Sequence, residues 1–481
     1  MPRRELVVQG DVPPALVAGL QSLANRLHLP SEFPPDVQAE ANAVAAKGPA
    51  DGPQRQSLDI PFVTIDPAGS MDLDQALFIE TLGTSYRVWY AIADVAAWVV
   101  PGGALDAEAR ARGETYYAPN IRLPLHPAVL SEGAASLLPD GKPRPANVWR
   151  IDLDAVGAVT GFTVLRALVA SSAQLTYDGV QRDLDAGTAA EPLRLLRTVG
   201  ELRLQQEAAR GGVSLNLPEQ EVTAKGDAWH LDFRTVLPVE NWNAQLSLLT
   251  GYCAASLMRS HGVGILRTLP PADDRTIGLL RRIAGSLGLR WPRAQGYPDF
   301  VRTLRAGRPA DQAMMNACTA LFRGAGYTVI GGPDDSGHMP HGALASEYAH
   351  VTAPLRRLVD RFTGTICAAL AAGEPVPDWA KEALGDVAKT MVDADARAKS
   401  FERGVVALTE ALILRGHVGQ QFMGVIVEVD SRNRRQGIAS LPGQAVEAPV
   451  RASRPLTLGA QVSLRLVRAD VNTGVVGFAM A

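Results

Sequence analysis

The apolar residues of this 481-residue chain change their spacing twice, and that alternation constrains the fold more than any single motif. From residue 58, "FVTID", "ALFIE", "YRVWYAIADVAAWV" and "NVWRIDLDA" are rich in Val, Ile and aromatics and read as strands. "VSLNLPEQEVTAKGDAWHLDF" reads as a hairpin about Gly226. Helical spacing then takes over in "EPLRLLRTVGELRLQQEAAR", "WNAQLSLLTGYCAASLM", "IGLLRRIAGSLGL", "DQAMMNACTALFRG" and one long run from Asp378 to Leu414. Strands followed by helices predict an α+β domain over residues 58–410. The pattern reverts at the end: "QFMGVIVEVD", "QGIASL", "AVEAPVR", "QVSLRLVRAD" and "GVVGFAM" are five short strands, the number an OB-type barrel needs, over residues 411–481.

Residues 1–57 have a third texture. "PALVAGLQSLANRLHL" and "VQAEANAVAAKG" are helix candidates separated by the Pro-rich "PSEFPPD", and "PADGPQRQS" reads as a linker. A small helical domain is expected, either a helical hairpin packed on its neighbour or a helix-turn-helix fragment. No repeat of fixed period is visible.

A formal charge of −3 gives the chain no global positive field, so a polyanionic partner has to be met by local patches. One such patch is the C-terminal segment, with eight arginines against four acids, among them Arg434 and Arg435 in "SRNRRQG". OB barrels track single strands with such charges; a merely solubilising β-domain is the alternative. The three cysteines, Cys253, Cys318 and Cys367, are too dispersed for a ligand pair and too few for two disulfides, which points to a reducing, cytoplasmic setting. The opening "MPRRELVVQGDVPP" lacks an apolar signal core and no run of 18 apolar residues occurs, so a soluble chain without a membrane partner is expected. Nothing demands assembly, and a monomer is expected.

Within the first strands lies "TIDPAGSMDLDQALF", which gathers Asp66, Asp72 and Asp74 among apolar neighbours. A Pro-Ala-Gly-Ser turn can fold Asp66 back toward the other two, which share a face in extended chain. Their repulsion is relieved by a multivalent cation, and hard oxygens suit Mg²⁺ or Mn²⁺. A solvated acidic turn is the competing reading.

"TIDPAGSMDLDQA", "YAIADVAAWV", "LDAEARARGETYYAPNIRLPLHPAVLSEGAASLLPDGKPRPA" and "YAHVTAPLRRLVDR", in that order, resemble the RNase II/RNase R (RNB) family of 3′→5′ exoribonucleases over about residues 59–400. The resemblance implies a mixed α+β catalytic core with a deep channel, and a C-terminal barrel of the ribosomal protein S-one type. It implies that Asp66, Asp72 and Asp74 are metal-site acids, with Asp74 the one most needed for cleavage. The fourth acid of the family is Gln75 here, whose neutral amide would bind an ion more weakly. Arg356 matches the catalytic arginine and Arg357 would grip an adjacent phosphate. Ala353 stands where the family usually has Ser.

Tyr117 matches the tyrosine that packs against bases at the channel end, with Tyr116 its neighbour and competitor. His341, in "HMPH", is expected to line the channel near the arginines; a transition-metal site with His338 and His350 lacks supporting ligands. Asp94, flanked by apolar residues, is read as structural or as support for the site. Asn243, Ala244 and Gln245 are uncharged where relatives carry an acidic pair. Typical relatives also begin with cold-shock barrels that narrow the entrance, so tolerance of structured RNA is expected. The implied function is a processive, Mg²⁺-dependent exoribonuclease that degrades RNA from the 3′ end to nucleoside 5′-monophosphates. An RNA-binding protein with a degenerate nuclease core, and a nuclease that also accepts DNA, are the alternatives.

Overall fold

A computed structural model describes residues 7–9, 14–50, 55–118, 121–215, 219–225, 228–234, 236–305, 308–441 and 446–481. Its centre is a seven-stranded mixed sheet. Across the sheet the strands run Ser171–Thr176, Phe62–Asp66, Gln75–Leu82, Ser85–Ala93, Arg144–Leu153, Val159–Val169 and Gln56–Ser57. The outer pair at each end is parallel and the interior is antiparallel.

Period-two alternation explains how this sheet is sandwiched. On strand Ser85–Ala93, Val88, Tyr90 and Ile92 join one core with Leu246, Leu249 and Phe362 from the helices. The intervening Ala91 and Ala93 join a second core with Val37, Trp98 and Leu105. Both faces are therefore buried, the second with Trp89 packed beside its alanines. The expected α+β class is what the structure has. The strands Val159–Val169 and Ser171–Thr176 extend the sheet beyond the segments read as strands from sequence. The long "YRVWYAIADVAAWV" stops being a strand at Ala93 and turns through a 3-10 segment, Val95–Ala97.

Helix Leu358–Ala372 is buried through most of its length, with its charged Asp360 and Arg361 paired to Arg357 and Asp106. Helix Leu384–Leu414 is a 31-residue rod. Its Phe401, Val405 and Leu408 pack on Leu16, Leu20 and Leu23 of helix Pro14–Arg26, and its Ala411 and Leu414 enter the core of the C-terminal barrel. That barrel is closed, in the order Gln421–Val429, Gln436–Leu441, Val446–Arg451, Val475–Met480, Gln461–Asp470, as expected for an OB-type fold.

The N-terminal segment corrects one expectation. Its two helices form no hairpin core of their own: helix Pro14–Arg26 packs on the rod, while Val37 and Ala41 of helix Pro35–Lys47 pack beside Trp98 and Leu105. Their apolar stripes are short, and each finds a larger surface than its twin could offer. Nor is the segment wholly helical, since Val7–Gln9 pairs parallel with the strand Glu219–Lys225. Gly226 lies outside the described residues; the strands it was expected to join, Glu219–Lys225 and Ala228–Arg234, pair antiparallel. Among the described residues, no helix is long and apolar enough to cross a membrane.

Candidate active site

The aspartates occupy the connection between two strands of the central sheet. Strand Phe62–Asp66 ends on Asp66, and the next strand begins at Gln75. Between them Ser70 N–H donates to the Pro67 carbonyl at 3.2 Å, and Gly69 takes φ +82°, where a side chain would be strained. Three further bonds pin this turn. Gln174 Nε2 donates to the Ser70 carbonyl (2.7 Å), Ser136 Oγ donates to the Met71 carbonyl (2.6 Å), and the same hydroxyl accepts from Leu73 N–H (2.9 Å).

Asp74 is 5% exposed and meets the arginine loop from the far end of the sequence. Its Oδ1 accepts from Leu355 N–H at 2.7 Å, and Arg356 Nε stands 3.5 Å from Oδ2. Burial pushes the carboxyl up to about 8 in spite of Arg356 and that hydrogen bond. Asp66 is pushed up to about 6, again by burial first, against the pull of Arg356, and its Oδ2 is buried without a hydrogen-bond partner. Asp72 is held differently. The Tyr117 hydroxyl donates to its Oδ2 at 3.0 Å, and Arg122 forms an ion pair with the same oxygen.

The arginine loop is shaped by a residue the sequence reading passed over. Asp360, in the first turn of helix Leu358–Ala372, accepts from Ala353 N–H (2.8 Å) and takes Arg357 through both Nε (2.5 Å) and Nη2 (2.7 Å). This bidentate, buried pair keeps Arg357 charged well above the ordinary arginine range and fixes the loop that presents Arg356. Arg357 therefore serves first as a brace, a different use from the phosphate grip expected of it.

Gln75 is a second correction. Its Nε2 donates to the Thr352 carbonyl (2.7 Å) and its Oε1 receives the hydroxyl of buried Tyr90. The amide is used at both ends to tie the sheet to the arginine loop, so its oxygen is turned to Tyr90 where ligation was expected. Asp72 is likewise engaged, and among the described residues no three His, Cys, Asp or Glu side chains are gathered as an ion-holding group. Asp66 and Asp74 nonetheless fit a hard cation: both are carboxyls raised by burial, and one oxygen is unpartnered.

The remaining candidates divide. Tyr117 is 37% exposed, with its hydroxyl at the aspartate turn, whereas Tyr116 is buried and bonds Arg397 at 3.1 Å, a packing role. Arg434 and Arg435 are exposed on the barrel, and their carbonyls anchor its turns by accepting from Leu456 and Ala452 N–H. His341 is the third correction. It is 8% exposed and edge-on to Tyr348, and burial pushes it down to about 3, so it is a neutral core imidazole where a channel wall was expected. Asp94 is buried and paired with Arg55 (2.7 Å) and Arg166 (3.9 Å), a structural ion pair. Gln245 Nε2 bonds buried Glu207 at 2.7 Å, and Asn243 Nδ2 bonds the Tyr177 hydroxyl at 3.2 Å.

Asp360 was legible in principle as an acid three residues after Arg357 at a helix start. Arg122 and Ser136 had no such local signal, because each acts on a turn that lies more than 45 residues away in the chain.

Residues 55–370 match the RNB domain, and residues 420–481 match the RNase II-type exonuclease C-terminal S1 domain. The chain is similar to an uncharacterised ribonuclease of Synechocystis, 25% identical over 460 residues, covering 93% of this chain and 63% of that one. It is also similar to ribonuclease R of Vibrio cholerae, 27% identical over 446 residues, covering 85% of this chain and 53% of that one. It thus spans less than two thirds of the length of these relatives.

In fold it is similar to Mycoplasma genitalium RNase R in complex with single-stranded RNA, with TM-score 0.86, 18% identity, and coverage of 97% of this chain and 78% of that one. Yeast Ssd1, described as a pseudonuclease, is also similar, with TM-score 0.72, 14% identity, and coverage of 93% and 57%. With the aspartate turn, the arginine loop and the closed barrel in one chain, and the RNB domain matched over most of its length, this protein belongs to the RNB family.

Proposed function

We propose that the protein is a 3′→5′ exoribonuclease that hydrolyses the terminal phosphodiester of RNA and releases nucleoside 5′-monophosphates. One observation carries this reading: Asp74 and Arg356, 282 residues apart in sequence, stand 3.5 Å from each other where the sheet meets the arginine loop, the acid buried and the guanidinium 38% exposed. A buried acid beside a planar cation is the pairing that phosphoryl transfer requires, one to hold positive charge near the phosphate and the other to receive charge building on its oxygens.

In the reaction, water adds its oxygen to the terminal phosphorus and the P–O3′ bond breaks. The preceding nucleotide leaves with its 3′ oxygen, which takes up a proton. Arg356 donates to the phosphoryl oxygens as their charge grows. Leu355 N–H holds Asp74 in one orientation, and the exposed Tyr117 ring supplies a face for the terminal base without reading its identity. Asp66 and Asp74, joined by Asp72, would hold a divalent ion, Mg²⁺ or Mn²⁺, which when bound supplies Lewis acidity to phosphate and water. Arg434 and Arg435 on the barrel favour retention of the strand between steps, hence processive decay. Structured substrates belong to the same reading, since the fold is shared with M. genitalium RNase R in complex with double-stranded RNA, at TM-score 0.82 and 20% identity.

The test is a 5′-labelled oligoribonucleotide incubated with purified protein and Mg²⁺, with and without EDTA, beside a matched DNA and a short-overhang duplex. The expected result is progressive shortening of RNA with monophosphate release, abolished by EDTA and by Asp74→Asn. Binding without shortening selects the second reading, an RNA-binding protein with a degenerate core. That reading is favoured by the engagement of Gln75 with Tyr90 and Thr352 and by the shared fold with a pseudonuclease. Equal decay of DNA would replace RNA by nucleic acid in general.

A further inference from the structure

We propose that Arg122 is a built-in stand-in for the divalent cation at Asp72, which the incoming ion has to displace; the inference rests on the metal-dependent reading above. Arg122 lies on the strand Ile121–Leu123, paired with Tyr116–Ala118, where it is the direct cross-strand partner of Tyr117. Its guanidinium is within 5.8 Å of the Tyr117 ring centroid, and both side chains hold the same oxygen of Asp72.

The fork of Arg122 is divided between two acids. Nη2 pairs with Asp72 Oδ2, while Nη1 donates to Glu132 Oε1 at 2.7 Å. The Arg122 side chain is 26% exposed and Asp72 is 14% exposed, so the pair is neither sealed in the core nor fully screened. That combination suits an exchangeable contact. Glu132 can keep Arg122 when Asp72 leaves, so no guanidinium is stranded when an ion takes the carboxylate. Asp74 is held differently: its Oδ1 is fixed by a backbone N–H, and Arg356 stands at 3.5 Å from its Oδ2.

The neighbouring acids give the displacement a reason. Asp66 has a buried oxygen with no hydrogen-bond partner and Asp74 meets Arg356 only at 3.5 Å, whereas one oxygen of Asp72 is already held by both an arginine and a tyrosine hydroxyl. A cation arriving at Asp66 and Asp74 gains the Oδ2 of Asp72 only by breaking its contact with Arg122. That exchange also releases the Tyr117 hydroxyl, which couples ion loading to the freedom of the ring offered to the RNA end.

The experiment is calorimetric titration of Mn²⁺ into the full chain without RNA, comparing the wild type with Arg122→Gln, Arg122→Lys and Asp74→Asn. Arg122→Gln is expected to tighten Mn²⁺ by about fivefold, the scale of a partly exposed ion pair. A gain of affinity cannot come from misfolding. Lysine keeps the charge but has one nitrogen, which cannot reach Asp72 while holding Glu132, so Arg122→Lys is expected to tighten binding in the same direction.

Wild-type affinity in Arg122→Gln overturns the proposal. Wild-type affinity in Arg122→Lys alone also overturns it, by assigning the effect to the long-range field. A crystal grown with Mn²⁺ should show Arg122 on Glu132 and off Asp72; an intact Arg122–Asp72 pair beside a bound ion would equally sink the idea. If wild type binds no Mn²⁺ while remaining folded, the metal-dependent reading itself falls with it. If wild type binds and Asp74→Asn does not, the metal reading stands and the Arg122 variants alone decide.

Discussion

One residue, Leu73, separates Asp72 from Asp74, yet the two sides of this turn are built on opposite principles. Asp74 is sunk against the arginine loop and held by a backbone N–H, and its neighbours Ala353 and Arg357 are fixed by Asp360. Asp72 faces the tyrosine hairpin and is held by two side chains, of which Arg122 has a second acid, Glu132, to go to. A backbone donor cannot be withdrawn without moving the loop, whereas a side chain can rotate away. The first region sets geometry, and the second is where geometry can change.

The sharpest way to break this comparison is Asp74→Asn. Turnover in a single-turnover RNA assay is expected to fall by at least about 10³-fold, with RNA affinity nearly unchanged. A loss similar to that of Asp72→Asn would erase the distinction between the two sides. Asp360→Ala comes next: it leaves Arg357 without its partner in a largely buried site, and denaturant unfolding should show about 3 kcal/mol of lost stability together with a fall in kcat. Asp72→Asn should cost roughly tenfold in turnover, read by the same assay, because its present partners are exchangeable.

Smaller again is Tyr117→Phe, which removes one hydroxyl bond worth about 1 kcal/mol and leaves the ring. Its end-product length is expected to match wild type, while Tyr117→Ala should lengthen the final fragment by loss of the stacking face.

A pH measurement probes the rigid side from beneath. His126 is buried near the arginine loop, and burial pushes its imidazole down to about 3 from an ordinary 6.5. A histidine held neutral in the fold but able to charge when unfolded contributes stability above pH 6.5, which is lost as pH falls from 6.5 toward 3. Asp66 and Asp74, raised by burial to about 6 and about 8, pull the other way over the same window, so the readout is a difference: in chemical denaturation His126→Phe should lose less stability toward acid than wild type.

The sequence disclosed the parts whose signals are local. The aspartate turn announced itself because Pro, Gly and Ser at short spacing need no distant partner to bend the chain. The barrel did so because five short alternating strands with turn residues between them have few ways to close. What stayed hidden was settled by tertiary contact. Gln75 looks like a weak ligand in a list of acids, and only the proximity of Tyr90 and Thr352 commits its amide elsewhere. His341 looks like a channel residue beside the arginines until its burial against Tyr348 is seen. Asp72 could be read as one of three converging acids because nothing near it in sequence discloses Arg122.

The 31-residue rod Leu384–Leu414 has a mechanical consequence. It touches the tyrosine hairpin at Arg397 and the barrel at Ala411, positions about 21 Å apart along a helix that rises 1.5 Å per residue. The rod is thus a ruler between the barrel and the tyrosine hairpin. One residue inserted between those two points would swing the barrel by about 100° around the helix axis, so the register of this helix sets the barrel's heading toward the hairpin as well as its distance from it.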